Sequence, residues 1–374
     1  MTSQNLDLHT MGARLKMVDE VLVQMLAARH RLSLQISGIK RAAGEPIYRH
    51  DIELRRIEST RRYGESLGLN PEFVAGIMYS LIRESCMDQV IDRESNPGAA
   101  ASVEPYETQK ANLLKLTELI ASSYDVTYHS SHATRLYERY EDAQLEDLVQ
   151  GMSREQRRRF LDLGCGTGKI AFRAGYLFGS VVGYDLSPHM LEVARGKHAN
   201  LHQNTNVNFV EADLESGIPE ADGSVSFVAM SLGTASDIKN IAHVIAETAR
   251  VLEQGGRFMF SFYNAGALLY QWQYLPWQIS LAARMNLDDH CLDVYHSGKV
   301  FQVYARPYTT DEVKKMFDWS DPKVVTYPTI SSIIPNEAFI GQSSDQVVEA
   351  VTALDRQLSF GHHGAYIIVS GVKK

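Results

Sequence analysis

The stretch Phe160-Leu-Asp-Leu-Gly-Cys-Gly-Thr-Gly168 decides the fold of most of this chain. An apolar run ends in an acidic residue, and three glycines follow at every second position. This pattern predicts a buried strand, a turn too tight for side chains, and a helix from about Lys169. Glycines in such a turn let the backbone approach a ligand closely, and the first N–H groups of a helix are unpaired. The sequence therefore predicts a ligand site where this strand meets its helix.

The spacing of the glycines excludes two common phosphate-binding patterns. A dinucleotide fingerprint has its third glycine three residues after the second, whereas Gly168 follows Gly166 by two. A P-loop is excluded because no Gly-Lys-Ser/Thr sequence closes the turn. A second apolar run ends in Asp185, about 20 residues after the glycines, which is where the next parallel strand brings a carboxylate to a ribose diol.

Two further motifs follow in order, Asn208-Phe-Val-Glu-Ala-Asp213 and Ala249-Arg-Val-Leu-Glu-Gln-Gly-Gly256. With the glycine turn and Asp185, they make the region from about residue 125 to residue 374 resemble the class I S-adenosylmethionine-dependent methyltransferases. The resemblance implies an α/β Rossmann-like domain with a seven-stranded, mostly parallel sheet. It also implies S-adenosyl-L-methionine as the cofactor and a methyl acceptor as the substrate.

The same resemblance implies a role for each cofactor-binding residue. Asp162 would orient the glycine turn and bind the methionine ammonium, and Asp185 would bind both ribose hydroxyls. Leu186 and Met190 would enclose the adenine. The remaining contacts would come from the turn residues Gly164, Cys165, Gly166 and Gly168, from Asp213 and Leu214 at the adenine amine, and from Met230 and Ser231 beside the sulfur. Tyr124 or Tyr128 would close over the cofactor, although a packing role is equally compatible with the sequence.

The sequence defines the part of the site that binds the methyl acceptor less well. The fourth strand ends without the Asn/Asp-Pro-Pro-aromatic motif of enzymes that methylate adenine or glutamine amino groups, which disfavours those substrates. The aromatic segment 265–305 is expected to form a lid that sets specificity. The catalytic residue stays open among Tyr263, His290, His296, His362 and His363. Histidines at the start of a strand are usually structural, and methyl transfer needs a base only for some acceptors.

The first ninety-five residues predict a separate helical domain. Apolar residues recur at helical spacing in 11–39, 51–66 and 71–92, with Gly and Pro between the segments. One long helix and two shorter ones enclose little core, so we expect an intertwined homodimer. At 100° per residue, Arg29 and Lys40 lie on one face of the first helix, and Ser85 and Gln89 share a face of the third.

At these positions the segment resembles the all-helical chorismate mutases. The residues that match the pocket of that family are Arg29, Lys40, Glu53, Ser85 and Gln89. Three positions depart from it, because Gly12 and Ile52 stand where the family has arginines and Arg49 stands where it has an aspartate. We therefore expect a degenerate mutase-like domain kept for dimerisation. Two alternatives remain, a bifunctional chorismate mutase and methyltransferase, and a mutase-like domain that acts as a ligand sensor.

Composition bounds the remaining possibilities. The chain has 374 residues, a net charge of −8 and 44% hydrophobic residues, which fits two soluble domains with no general attraction to nucleic acid. Cys86, Cys165 and Cys291 are few and odd in number, without metal-ligand spacing, so neither a disulfide framework nor a metal site is expected. We found neither a signal peptide nor a membrane segment and expect a cytoplasmic protein without membrane partners. The predicted organisation is a helical domain 1–95, a linker and helix 96–124 and a methyltransferase domain 125–374.

Overall fold

A computed structural model describes residues 8–43, 45, 47, 49–95, 103–128, 132–200, 206–271, 283–296, 299–334 and 345–374. The chain divides into two compact units, residues 1–102 with 297–299 and residues 103–296 with 300–374. The segment 103–124, which the sequence assigns to a linker and helix, lies within the second unit. None of the helices in the described ranges is long and apolar enough to cross a membrane.

The first unit contains the three predicted helices, α1 (Leu8–Ala42), α2 (His50–Ser66) and α3 (Pro71–Ser95). Asn70 begins α3 as expected, because its Oδ1 accepts hydrogen bonds from the N–H groups of Glu72 and Phe73. The contact between α1 and α3 is polar: Ser37 Oγ donates to Asp92 Oδ2 at 2.8 Å and Ser33 Oγ donates to the carbonyl of Ser85 at 3.0 Å. Most apolar side chains of α1 are exposed in the single chain.

The second unit is built on strands β1 (Arg159–Leu163), β2 (Ser180–Asp185), β3 (Val207–Glu211), β4 (Val225–Met230), β5 (Leu252–Tyr263), β6 (Ala283–Asn286), β7 (Cys291–His296), β8 (Lys299–Tyr304), β9 (Lys323–Tyr327) and β10 (Tyr366–Val372). Seven of them form one sheet in the order β3-β2-β1-β4-β5-β10-β9. All neighbours are parallel except β10, which runs antiparallel to both β5 and β9. This sheet confirms the predicted Rossmann-like class.

The helices of this unit are α4 (Tyr106–Ile120), α5 (Tyr124–Tyr128), α6 (His132–Gln150), α7 (Lys169–Gly175), α8 (Pro188–Asn200), α9 (Ile241–Val251), α10 (Leu268–Gln271), α11 (Thr310–Met316) and α12 (Asp345–Leu358). Two apolar clusters cover opposite faces of the sheet, one with α9 and α11 and the other with α6, α7 and α8. Burial of both faces explains why β1, β2 and β4 are continuous apolar runs instead of alternating ones.

The expected lid segment 265–305 contains α10 and a second small sheet of order β6-β7-β8. Its β6 and β7 pair in antiparallel fashion. The aromatic residues Trp272, Tyr274 and Trp277, on which the lid prediction depends, lie outside the described residues. The role of this segment as a lid stays a prediction.

Candidate active site

The three glycines of the turn each have a positive φ, and their surroundings differ. Gly164 has φ 69°, and a Cβ there would lie 2.4 Å from Thr234 Cγ2. Gly168 has φ 86°, and a Cβ there would lie 2.7 Å from Phe209 Cζ. At Gly166, with φ 52°, a Cβ would meet nothing within 4 Å. The outer glycines therefore allow close packing of the turn, while the backbone of Gly166 faces open space.

Asp185 connects the end of β2 to this turn. Its Oδ2 accepts a hydrogen bond from the N–H of Gly166 at 2.7 Å, and its Oδ1 accepts one from the N–H of Ser187 at 2.8 Å. Burial raises the pKa of this carboxyl, and the backbone N–H groups of Ser187, Gly166 and Leu186 oppose that rise. Each oxygen keeps a second lone pair, so the carboxylate can accept further hydrogen bonds beside the turn.

Asp162 lies beneath the turn at the end of β1 and is buried. Its Oδ2 accepts a hydrogen bond from the N–H of Ala171 at 2.9 Å, which ties β1 to the first turn of α7. Its Oδ1 is buried and has no hydrogen-bond partner among the residues that the structure describes. Burial raises the pKa of Asp162 to about 7. The side chain thus links β1 to α7 and keeps one acceptor oxygen without a partner among the described residues.

A cavity of about 150 Å³ opens between the glycine turn and the loop that follows β4. Its lining residues are Tyr124, Asp125, Glu138, Gly164, Cys165, Gly166, Thr167, Lys169, Ile170, Ser231, Leu232, Thr234, Asp237 and Tyr263. The predicted residues Tyr124, Gly164, Cys165, Gly166, Ser231 and Tyr263 are therefore brought together here.

The loop after β4 is held in an unusual backbone conformation. Leu232 has φ 58°, which is uncommon for a residue with a side chain, and Gly233 has φ 81°. The N–H of Leu232 donates to Glu141 Oε1 at 3.1 Å, and the N–H of Gly233 donates to Ser261 Oγ at 2.6 Å. Burial raises the pKa of Glu141 to about 7. Helix α6 thus supports the loop from below, a contact that the sequence analysis missed.

Three carboxylates that the sequence analysis did not name line the cavity. Asp125 accepts from Thr167 Oγ1 at 2.6 Å and pairs with Lys197, and Glu138 pairs with Lys169 at 2.9 Å. Asp237 instead accepts a hydrogen bond from the phenol of Tyr263. Burial raises the pKa of Asp237 to about 7, although this hydrogen bond opposes the rise.

The predicted adenine-binding residues lie at the ends of β2 and β3. Met190 and Leu214 are buried, and Leu186 is half-buried. Asp213 Oδ2 accepts a hydrogen bond from Lys110 Nζ of α4 at 2.7 Å, and its Oδ1 accepts from the N–H of Glu215 at 3.1 Å. The sequence analysis missed Lys110, since the residue is distant from every motif.

The four candidate histidines lie away from the lining of the cavity. His290 has φ 51° in the β6–β7 turn, and His296 ends β7. His362 Nδ1 lies 2.7 Å from Thr310 Oγ1, and His363 Nδ1 lies 3.1 Å from the carbonyl of Gly266. Of the five candidates, Tyr263 is the one that the structure brings to this cavity.

The helical unit brings its predicted pocket residues together. Arg29 donates to Ser85 Oγ and, at 2.5 Å, to the carbonyl of Leu81, while Lys40 donates to the carbonyl of Ile47. Gln89 Nε2 donates to Ser33 Oγ at 3.2 Å. Gln89 Oε1 and Glu53 Oε2 are buried and have no hydrogen-bond partner in the described residues.

The glycine turn and its carboxylates fit S-adenosylmethionine. The open face of Gly166 admits a ligand against the backbone, and Asp162 Oδ1 offers a buried acceptor oxygen for a cationic group. Asp185 adds a second acceptor at the end of β2. These features suit a ligand that carries a ribose diol and an ammonium.

Comparison with known families identifies both units. Residues 160–256 match the family model described as a methyltransferase domain, and residues 12–90 match the model described as chorismate mutase type II. The two matches follow the chain in the order that its motifs predict. The methyltransferase match supports S-adenosyl-L-methionine as the cofactor of that domain.

Curated relatives match part of the chain. The ubiquinone/menaquinone biosynthesis C-methyltransferase UbiE of Brucella anthropi is 31% identical over 160 residues, which cover 41% of this chain and 58% of the relative. The demethylmenaquinone methyltransferase of Chlorobaculum parvum is 36% identical over 103 residues, covering 27% and 39%. The 2-phytyl-1,4-naphtoquinone methyltransferase of Synechocystis sp. is 29% identical over 115 residues, covering 30% and 48%. The chain spans about half the length of these relatives.

Proposed function

We propose that this chain, in which a class I S-adenosylmethionine-dependent methyltransferase domain follows a chorismate mutase type II domain, transfers a methyl group to a small-molecule acceptor. The observation that carries the proposal is the hydrogen bond of 2.7 Å between the Gly166 N–H and Asp185 Oδ2, beside an open backbone face. It joins the glycine turn, which would hold the methionine part of the cofactor, to the carboxylate that would hold the ribose.

Each predicted residue has a role in this proposal. Asp185 binds the ribose hydroxyls, and Asp162 orients the turn and accepts from the methionine ammonium. Leu186, Met190 and Leu214 surround the adenine, while Asp213 accepts from its amine and is held in place by Lys110. Tyr124 and Ser231 line the cavity at the sulfur end, and Met230 lies just before Ser231 at the end of β4.

Methyl transfer requires little covalent chemistry from the protein. The cofactor supplies a methyl group on a positively charged sulfur, which is already an activated leaving group. The chain therefore has to align the acceptor in line with that carbon and exclude water. A cavity enclosed by the glycine turn and the loop after β4 suits both tasks.

A small-molecule acceptor is supported by the size of the site, since the cavity measures about 150 Å³. We place this acceptor in specialised metabolism. The relatives named above carry the names of quinone methyltransferases. The matches to those relatives cover at most 41% of this chain. We therefore take from them the class of a small acceptor and not the identity of the acceptor.

Methyl-labelled S-adenosylmethionine tests the proposal. Purified protein is incubated with a deproteinised metabolite extract and, separately, with RNA and protein from the same extract. We expect label in the low-molecular-weight fraction. Label in RNA or protein, or no label in any fraction, would contradict the proposal.

For the helical unit we propose a dimerisation role without mutase activity. The exposed apolar residues of α1 include Leu15, Val18, Leu22, Met25 and Leu26, and a second copy would bury them. Gly12 and Ile52 lack the guanidinium groups that hold a dianion in active mutases. One electrostatic stabiliser of this kind contributes about 2.7–4 kcal/mol, or roughly 10²–10³ in rate.

One observation favours a second role, ligand binding by this unit. Gln89 Oε1 is a buried acceptor without a hydrogen-bond partner in the described residues, and Glu53 Oε2 has no hydrogen bond there beside its ion pair with Arg56 Nη1 at 3.7 Å. Leaving a buried acceptor without a hydrogen bond costs about 1–3 kcal/mol. A bound molecule with hydroxyl groups would satisfy both acceptors. Chorismate, prephenate and aromatic amino acids are the probes. A thermal shift without decay of chorismate absorbance supports a sensor. Decay of that absorbance shows a bifunctional enzyme. If neither a thermal shift nor decay is seen, dimerisation remains as the role.

A further inference from the structure

We propose that Asp237 is the general base of the methyl transfer, that Tyr263 positions it, and that the acceptor atom is a hydroxyl oxygen. The inference rests on the proposed function and adds to it the class of acceptor and the residue that takes its proton. Two observations support it: the position of Asp237 in the cavity, and the hydrogen-bond and ion-pair partners of the carboxylates that line the cavity.

Asp237 lies at the carboxyl edge of the sheet, where the reacting groups would meet. It ends the 3₁₀ turn Thr234–Asp237 in the loop after β4 and lines the same cavity as Gly164 and Gly166. The glycine turn forms one wall of this cavity and the β4 loop forms the other. An acceptor in the cavity is thus within reach of the Asp237 carboxyl.

The partners of the three cavity carboxylates differ in charge. Asp125 pairs with Lys197 and Glu138 pairs with Lys169, so a nearby cation stabilises the ionised form of each. Asp237 accepts from a neutral phenol, that of Tyr263. A carboxylate paired with a lysine is a poor base, whereas one supported by a neutral donor can take a proton near neutral pH.

The environment of Asp237 sets its basicity in the useful range. Burial raises its pKa to about 7, and a base whose pKa lies near the working pH is the most effective. The other ionisable groups that face the cavity are Tyr124 and Asp125 from α5, Glu138 from α6, Cys165 from the glycine turn, Lys169 from α7 and Tyr263 from β5. Burial raises the pKa of the Cys165 thiol well above its usual range. Burial raises the pKa of Tyr124 well above its usual range, so that phenol does not compete as a base.

Packing fixes the ring of Tyr263. A Cβ at Gly233 would lie 2.5 Å from Tyr263 Cε1, so the ring rests directly on the glycine backbone. The ring centroid lies 5.8 Å from that of Tyr366 on β10, and the N–H of Tyr263 donates to Ser236 Oγ at 2.8 Å. The phenol is therefore held where it can orient the Asp237 carboxyl, which is a positioning role.

A hydroxyl acceptor gives a balanced step that uses this base. Asp237 takes the proton of the hydroxyl, whose oxygen forms the new bond to the methyl carbon. The electron pair of the broken carbon–sulfur bond stays on sulfur, and the protonated carboxyl later loses its proton to solvent. A neutral amine attacks without losing a proton first, so it has no need of this base.

The test compares Asp237→Asn with Asp318→Asn, a matched change at an exposed aspartate. The assay uses labelled S-adenosylmethionine and the low-molecular-weight extract fraction, and calorimetry measures cofactor affinity separately. We expect Asp237→Asn to lower the rate by roughly 10²–10⁴ and to remove its rise with pH through about 7. Its cofactor dissociation constant should stay within about threefold of wild type, and Asp318→Asn should behave as wild type.

Tyr263→Phe provides a second arm that keeps the ring and removes the hydroxyl. Because the Tyr263 hydrogen bond lowers the pKa of Asp237, we expect its loss to move the rise in rate to higher pH. An unmoved profile would contradict the positioning role.

Three results overturn the assignment of the base. They are a rate within about threefold of wild type in Asp237→Asn, a cofactor affinity that falls as much as the rate, and a product methylated on nitrogen. A product methylated on carbon would overturn the hydroxyl acceptor. A wild-type protein that transfers no label argues against the proposed function itself, so the two failures are distinguishable.

Discussion

At the scale of single residues, three carboxyl groups around the candidate site link stability to pH. Glu141 and Asp162 are buried, and Asp237 is half-buried. Burial raises the pKa values of Glu141, Asp162 and Asp237 to about 7, above their ordinary values of 4.5, 3.8 and 3.8. Between those two limits the folded state binds more protons than the unfolded state. The contribution of these groups to stability is present below the unfolded pKa and is lost as pH rises through the folded pKa.

We therefore expect the free energy of unfolding of the second unit to fall as pH rises from about 5 to about 7.5, by at most ~1.4 kcal/mol per pH unit for each group. Asp162→Asn carries a permanently neutral side chain and should reduce this slope. Urea unfolding of the full chain at several pH values measures it, with Asp318→Asn as the control. Equal slopes in the wild type and Asp162→Asn would contradict the prediction.

The site residues that the sequence predicted and those that it missed occupy different kinds of position in the fold. Asp162 and Asp185 follow apolar runs that predict strands, so their position at one edge of the sheet follows from the fold. Glu141 lies on α6, where its spacing looks like that of a solvated helix face. Asp237 comes seven residues after the end of β4 and belongs to no motif. The sequence feature that indicates Asp237 is a carboxylate in the loop at the carboxyl end of a buried strand, and this feature is recognised only once the structure is known.

At the scale of secondary-structure elements, the contact between α2 and α3 depends on one glycine. A Cβ at Gly64 would lie 2.6 Å from Val74 Cγ2, so the two helices approach too closely there for a side chain. We expect Gly64→Ala to destabilise the helical unit by about 1–3 kcal/mol, despite the better helix propensity of alanine.

Gly12→Ala is the matched control for that prediction. It lies inside α1, and a Cβ there would meet nothing within 4 Å. It should stabilise the unit by about 0.5–1 kcal/mol, since only the helix propensity changes. Thermal unfolding followed by helical circular dichroism compares the two, and a Gly64→Ala protein as stable as Gly12→Ala would contradict the packing argument.

The helices and strands that could be predicted are those whose apolar residues recur with a regular period. The helices of the first unit and strands β1, β2 and β4 follow clear apolar patterns, and the structure confirms their existence within a few residues. No such period marks 283–304, where β6, β7 and β8 form a small sheet inside the insertion. These strands follow one another closely along the chain, but they are short and mix polar with apolar residues, so a local pattern does not predict their register.

At the scale of the whole molecule, the apolar surface of α1 predicts association of two chains. Leu15 and Leu22 are 63% and 57% exposed in the single chain, too much apolar surface for a solvated helix. We expect the wild type to be a dimer by light scattering and Leu15→Glu/Leu22→Glu to be a monomer. Val347→Glu, at a residue of α12 that is 48% exposed, is the control and should remain a dimer. A monomeric wild type would contradict the dimerisation role.

The two-domain organisation could be predicted because each domain carries its own set of motifs. The acceptor could not, because its site is assembled from the β4 loop, α6 and β5, which are distant in sequence and share no spacing. The cofactor half of the site is built from local turns, whereas the acceptor half is built from tertiary contacts.

Calorimetric titration of S-adenosylmethionine into the wild type and Asp185→Ala tests the central claim most directly. Asp185 accepts from the Gly166 and Ser187 N–H groups. The ribose contacts that we propose for it would be hydrogen bonds to a charged group, worth about 1.5–3 kcal/mol each. We predict binding by the wild type and at least about tenfold weaker binding by Asp185→Ala, with Asp318→Ala unchanged. Equal affinity in the wild type and Asp185→Ala, or no binding by the wild type, would contradict the account.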